Sequence, residues 1–387
     1  MKILLLGLYD SRNLGDAVLC DCTKAVLEEA FPEAEIVIGD LLGRTEFDPY
    51  GILPFSPKEQ KKNRLRNSLR DVASRFTPLD RVYDHERQVL WRNLDRMKEN
   101  RISDADAVVF AGGQVLTDTL ALEAAWLVRP YLRRGTPIFF NACGTGKQVS
   151  PHIRGILREI LADPAVRYIS VRDHAREVSC KYGCRAGDVF DFGLFAPQVY
   201  GVRLPQEPSP MAQTSPIGLG FMYPSDMDEE KVRNFWMRLI AYLEEMQIPW
   251  RAFCNGSGRD MGFAGYVLRS MPKVYDEHRT DLEAIPQTPA DLVRTVTGFR
   301  GILSFRLHSH ILAASLGVPS VAFVWDDKVN EFFRKMGCPE RSLAISAKPR
   351  QIWQTYLAAE KEGWNRSLIA EGLNSSRGQL IDAVLHA

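Results

Sequence analysis

The sequence predicts an α/β protein made of two doubly wound, Rossmann-like domains that face each other across a cleft. Three observations carry this. The chain has 387 residues, more than a single hydrophobic core usually organises. Short apolar runs alternate with amphipathic stretches, and each run ends in a polar or glycine-rich loop, as in parallel strands covered on both faces. The alternation lapses once, in a segment holding Pro197, Pro205, Pro208, Pro210 and Pro216, where proline removes backbone donors. The expected division is an N-terminal domain at 1–195, a linker at 196–215 and a C-terminal domain at 216–387.

The elements follow in order. Lys2 to Gly7 reads as a buried strand, Leu8 to Gly15 as a loop and Asp16 to Ala30 as a helix. The same grammar returns at Ala107 to Phe110 before Ala111-Gly112-Gly113, and at Pro137 to Phe140 before Cys143-Gly144-Thr145-Gly146. It returns again at Arg167 to Val171 before a helix over Asp173 to Tyr182. The second domain is expected to run through Ile217 to Met222, a helix over Glu229 to Met246, Trp250 to Cys254, a helix near Leu292 to Thr297, Gly301 to Ser304, a helix after His308, and Val318 to Val324. In such folds ligands bind beyond the carboxyl ends of the strands, here the interdomain cleft.

Composition narrows the partners. Hydrophobic residues make up 45% of the chain and charged residues 25%, the profile of a folded globular protein. Lys plus Arg total 49 against 48 Asp plus Glu, a net charge of +1, so no overall field favours nucleic acid. The seven cysteines, Cys20, Cys22, Cys143, Cys180, Cys184, Cys254 and Cys338, show no C-x-x-C pair; neither a zinc ribbon nor a disulfide framework is indicated, and a reducing cytoplasm is the expected compartment. The run Ile3 to Leu6 is too short for a signal-peptide core, and the longest apolar stretch, Ile311 to Trp325, falls short of the roughly 18 residues that suggest a membrane span.

One insertion, 57–76, carries Lys58, Lys61, Lys62, Arg64, Arg66, Arg70 and Arg75 beside Leu65, Leu69, Val72 and Phe76. It reads as a basic amphipathic helix. It is expected to be a solvated surface helix, a lid, or a peripheral contact with the inner face of an anionic membrane or an acidic glycan.

The chemistry-bearing residues cluster at strand ends. In the loop ending Asn13-Leu14-Gly15-Asp16, helix N–H groups and the positive end of the helix dipole would face the cleft, so an anion can bind there. Asp16 is either a simple N-cap or a carboxylate aimed at a ligand. The pairs Gly112-Gly113 and Gly144 with Gly146 would let backbone approach a ligand closely, yet neither loop matches a P-loop or G-x-G-x-x-G, which disfavours ATP and NAD.

The strongest passage is Ser304-Phe305-Arg306-Leu307-His308-Ser309-His310, followed by Gly317-Val318-Pro319 and Trp325-Asp326-Asp327-Lys328. Two successive strand ends would bring Arg306, His308 and Lys328 together, with Arg172 facing them from the first domain. Fixed cations and an imidazole at a helix start make a receptor for a small anion carrying phosphate and carboxylate. Each residue also has a plainer reading: an ion pair across a strand end for Arg306, a satisfied buried histidine for His308, and a local pair with Asp173 for Arg172. His308 and His310 point apart on a helix, so no metal is expected there.

These residues resemble the polysaccharide pyruvyl transferase family. The resemblance rests on Gly7, Asn13, Gly15 and Asp16, on Gly112-Gly113 with Asp118, on Val171-Arg172-Asp173 with Ser179, and above all on Phe305 to Ser309 through Gly317-Val318-Pro319 to Lys328. It spans roughly Lys2 to Gly337 and departs from the family pattern at Gln114 and Lys147. It implies a GT-B-like fold and a phosphoenolpyruvate donor whose pyruvate forms a ketal on sugar hydroxyls of a bacterial exopolysaccharide or other cell-surface glycan, free or lipid-linked. It also implies that Arg172, His308 and Lys328 hold the donor with support from Arg306, that Asp16 and His308 serve catalysis, and that no metal or further cofactor is needed. A nucleotide-sugar glycosyltransferase and a non-catalytic glycan-binding module are the competing readings.

Overall fold

The computed structural model describes residues 1–49, 104–118, 120–146, 149–204, 215–225, 227–271 and 282–387. The basic stretch 57–76 and Lys147 lie outside them. The first strand, β1 (Lys2–Gly7), is Lys-Ile-Leu-Leu-Leu-Gly, with Ile3 through Leu6 fully buried, because a strand sandwiched between helices must be apolar on both faces. It leads into α1 (Leu14–Ala30) and β2 (Glu35–Asp40). There follow β3 (Ala107–Phe110), β4 (Gly113–Leu116), α2 (Ala121–Leu132), β5 (Ile138–Thr145), α3 (Pro151–Leu161), β6 (Val166–Val171), α4 (Ala175–Tyr182) and β7 (Gly187–Asp188). The first sheet is parallel in the order β2-β1-β3-β5-β6-β7, with β4 also beside β5. β3 and β4 are one strand interrupted at Ala111-Gly112: β5 pairs with β3 at Ile138 to Phe140 and with β4 from Cys143. Gly112 and Gly113 hold φ of +100° and +79° at that break, a conformation open to glycine.

The second half repeats the plan. β8 (Ile217–Gly220), α5 (Glu229–Glu245), β9 (Trp250–Phe253), α6 (Gly258–Arg269), α7 (Pro289–Thr297), β10 (Gly301–Ser304), α8 (Leu307–Leu316), β11 (Ser320–Val324), α9 (Asp327–Lys335), β12 (Ser342–Ala344), α10 (Pro349–Glu362) and α11 (Arg366–Leu385) follow one another. The sheet is parallel in the order β12-β11-β10-β8-β9. In both sheets the first strand has the second on one side and the third on the other, so each has a topological switch point, β1/β3 and β8/β10, where a crevice opens. The two doubly wound sheets predicted from the sequence are present.

Two differences bear on the site. Helix α1 starts at Leu14 with Asn13 as its N-cap residue, not at Asp16; Asp16 therefore sits in the first turn. Helix α8 starts at Leu307 and is buried along its whole length, which places His308 inside the structure. A shared core joins the halves: Leu14 and Val18 of α1 belong with Val293 and Val296 of α7 and with Leu312 and Leu316 of α8. Helix α11 returns to the first sheet, where Leu380 and Val384 join the cluster containing Ile3 and Leu5 and Ser376 accepts a hydrogen bond from the Phe190 amide.

Candidate active site

A cavity of about 310 Å³ opens between the two switch points, lined by Asn13, Asp16, Arg172, Arg306, His308 and Lys328 among others. The five charged or titratable residues singled out from the sequence thus share one chamber. The two helix starts above it, α1 and α8, come from different domains.

Asn13 is its central connector. Its Nδ2 lies 3.1 Å from Asp16 Oδ2 and 2.8 Å from His308 Nδ1. Asn13 Nδ2 and Arg172 Nη1 each bring an N–H donor to a ring nitrogen, and a neutral imidazole accepts at only one; with Nδ1 accepting at the shorter contact, the ring proton is assigned to Nε2, where Arg172 faces it as a second donor. That Nε2 stands 3.8 Å from Asp16 Oδ1 and 3.3 Å from Arg172 Nη1. Burial, and then the cations of Arg172, Lys328 and Arg306, push His308 well below the ordinary histidine range, so the imidazole is neutral. Asp16 goes the other way: burial raises its carboxyl to about 6 despite Arg172, the Asn13 hydrogen bond, Lys328 and Arg306, which oppose the shift. A carboxyl poised there can both give and take a proton near neutral pH.

The cations are held by partners the sequence does not advertise. Arg172 donates through Nη1 to Asp191, nineteen residues on, while Asp173 lies 4.0 Å from its Nε and is occupied by the Thr145 amide and hydroxyl. Lys335 of α9 donates to the Arg172 carbonyl at 2.9 Å and the Val189 carbonyl at 2.8 Å, tying this strand end to the second domain. Arg306 grips Asp260 of α6 through Nε at 2.9 Å and through Nη2; Asp260 is buried and also accepts the Tyr223 amide. Lys328 sits 4.3 Å above the Trp325 ring, and burial lowers its ammonium to about 8. Asp326 caps α9 by accepting from the Lys328 amide.

The glycines are close-approach positions. A Cβ on Gly15 would lie 2.3 Å from His308 Cβ, and one on Gly144 would lie 3.1 Å from Arg172 Nη2. At Gly113 it would approach Asp16 Oδ1 to 3.6 Å, and at Gly112 the Ala142 carbonyl to 3.2 Å. Gly146 packs on Thr117 and accepts from Lys181. Asp118 receives the Ser150 amide that opens α3. His310 is fully buried between Ser320 Oγ and the Ser304 carbonyl, each at 3.0 Å, a satisfied core histidine. Asp191, Asp260 and Lys335 escaped the sequence reading because nothing in their spacing ties them to the arginines they serve.

Two Rossmann-like domains with a polar cleft between their strand ends make this a GT-B-like protein. Of solved structures, the chain is similar to UDP-GlcNAc 2-epimerase from Neisseria meningitidis bound to UDP-GlcNAc, with 11% identity over 100% of both chains and a TM-score of 0.56. It is also similar to the UDP-GlcNAc 2-epimerase of Methanocaldococcus jannaschii in complex with UDP-GlcNAc and UDP, with 9% identity over 100% of this chain and 99% of that one and a TM-score of 0.53. At those identities the likeness is one of fold. A search of curated protein sequences finds no match. The polysaccharide pyruvyl transferase family model matches residues 13–327, and the chain belongs to that family of transferases. Among the described residues no helix is long and apolar enough to cross a membrane.

Proposed function

We propose that the protein transfers the pyruvate of phosphoenolpyruvate onto two hydroxyls of a saccharide acceptor, forming a ketal and releasing phosphate. The observation that carries this reading is Asp16: a buried carboxyl raised to about 6 in a chamber lined by Arg172, Arg306 and Lys328. Binding an anion needs the cations alone; the carboxyl adds the means to move a proton.

In this scheme protonated Asp16 delivers its proton to the donor's methylene carbon, which becomes a methyl group, and positive charge develops on the neighbouring carbon. A first sugar hydroxyl adds there and returns its proton to the Asp16 carboxylate. The carbon–oxygen bond to phosphate then breaks. A second hydroxyl closes the ketal, and its proton leaves with the phosphate. Arg172 and Lys328 stabilise charge building on the leaving group, with Arg306 beside them; His308 donates through Nε2. His308 does not start as an acid, since burial and then the neighbouring cations keep it neutral, and a bound anion offsets those cations. The scheme uses no metal or further cofactor, and the free or lipid-linked state of the acceptor leaves it unchanged.

The test is a calorimetric titration of phosphoenolpyruvate, with UDP and a UDP-sugar as competitors. Binding that disappears in Lys328→Ala supports the donor assignment, and Asp16→Asn is expected to bind the donor but not turn over. Binding of the nucleotide in preference to phosphoenolpyruvate moves the protein to the nucleotide-sugar glycosyltransferases.

A further inference from the structure

A second cavity of about 260 Å³ adjoins the first and is walled by Arg12, Arg44, Arg259 and Arg306, with Ser11, Asn13, Tyr223, Ser225, Ser257 and Asp260. It shares Ser11, Asn13, Arg44 and Arg306 with the catalytic chamber, so one ligand can span both. We propose that this cavity is the acceptor's anion subsite, receiving a phosphate or carboxylate carried by the saccharide whose hydroxyls enter the catalytic chamber; this rests on the pyruvyl-transfer reading.

The cations come from separate segments of both domains. Arg12 precedes α1, Arg44 follows β2, Arg259 lies in the first turn of α6, and Arg306 precedes α8. One carboxylate, Asp260, lines the same space, and it is committed to Arg306 and the Tyr223 amide. Asp40 offsets Arg44 from the side, at 3.2 Å. Arg12 donates to the Asp48 carbonyl at 3.3 Å, and the guanidinium carbon of Arg259 lies over the Tyr223 ring, 3.6 Å from its centroid, a cation–π contact that does not itself use the N–H donors. Burial lowers Arg12, Asp48 opposes this, and Arg44 and Arg259 add to it; crowding of like charges is what a bound anion relieves. Arg12 and Arg259 do not line the catalytic chamber, where Arg172 and Lys328, with Arg306 beside them, supply the donor's cations. A neutral sugar needs none of them, and planar forks are the side chains that best match phosphate and carboxylate.

The experiment uses the full chain saturated with phosphoenolpyruvate, so the donor site is filled, and titrates inorganic phosphate, glucose 1-phosphate, glucuronate and glucose. At least one anionic probe is expected to bind tenfold or more tighter than glucose. In Arg12→Gln/Arg259→Gln that preference is expected to fall at least tenfold, with donor affinity, the check on folding, unchanged. Preference for the sugar phosphate marks the carried group as phosphate, and preference for glucuronate marks it as carboxylate. Equal binding of charged and neutral probes, or an unaltered double variant, overturns the subsite while leaving the donor assignment standing. Failure of phosphoenolpyruvate to bind the unmodified protein overturns the donor assignment instead, and the same phosphate titration of both proteins still decides the subsite.

Discussion

Gly15 and His308 touch across the domain boundary with no room for a side chain between them: the first turn of α1 presses on the first turn of α8, and a β-carbon at Gly15 would stand 2.3 Å from His308 Cβ and 2.4 Å from Cγ. The contact sets how closely Asp16 and His308 approach. Neither residue could keep its place if the two helices were spread.

Gly15→Ala is therefore expected to force the helices apart at the catalytic chamber. Overpacking of a close contact costs about 1–3 kcal/mol, to be read as a lowered unfolding midpoint. Donor affinity should fall at least tenfold, since His308 moves with its helix. Calorimetry of the variant checks this, and wild-type affinity contradicts the contact's role.

Activity should fall in two steps as pH rises. Asp16 must start protonated and loses its proton near 6; Lys328 must be charged and loses its proton near 8. The profile of kcat/KM, which reports groups of the free enzyme, should drop about tenfold per pH unit above the first value and more steeply above the second. Lys328→Arg, charged throughout, should remove the upper step and keep the lower one.

The raised carboxyl is also a stability liability. Folding favours protonated Asp16, so its contribution is fully present below the unfolded carboxyl's range near 4 and is lost as pH climbs through about 6. At pH 7 the fold carries an unfavourable buried charge, on the order of 2–3 kcal/mol for a shift of this size. Asp16→Asn should melt higher than the native protein at pH 7, with the difference shrinking towards pH 4. Such a gain at the expense of turnover is expected of a residue kept for chemistry.

In the proposed reaction Asp260 would act on the donor through Arg306, which it holds by an ion pair. Asp260→Asn removes the charge that aims the guanidinium and leaves Arg306 without its buried counter-ion. Breaking a buried pair costs about 3–5 kcal/mol when one partner is removed, and the partial exposure of Arg306 puts this one below that range. KM for phosphoenolpyruvate is expected to rise tenfold or more, with a smaller change in kcat. Steady-state kinetics over a donor series separates the two.

The strands that build the site were legible because β1, β3, β5, β6, β8, β10 and β11 are dense in Val, Ile, Leu and Phe and end at loops. β2 and β12 were not: β2 is an edge strand mostly half-buried, and β12 has three residues. The order Arg306, His308, Lys328 could be read from consecutive strand ends, since a βαβ unit returns its next loop to the same sheet end. The anchors could not. Asp191 reaches Arg172 and Asp260 reaches Arg306 only because the chain folds back, and no helical or strand period links either pair. The helix start was misplaced by two residues because Asp16 and Asn13 are both good capping types; in the structure Asn13 holds the cap position and both side chains line the chamber.

The return of α11 to the first sheet has a mechanical meaning. The polypeptide passes from the first unit to the second after β7 and returns along α11, whose Ile369 and Leu373 pack with Val329 and Phe333 of the second unit and whose Leu380 and Val384 pack on the first, so the second unit is spliced into the first and anchored at both of its ends. A body tethered twice has few ways to swing. Any rotation that widens the cleft must turn about a line through both tethers, and strain in one is felt by the other. The final helix, far from the chemistry in sequence, thus limits how widely the two halves can part to admit an acceptor.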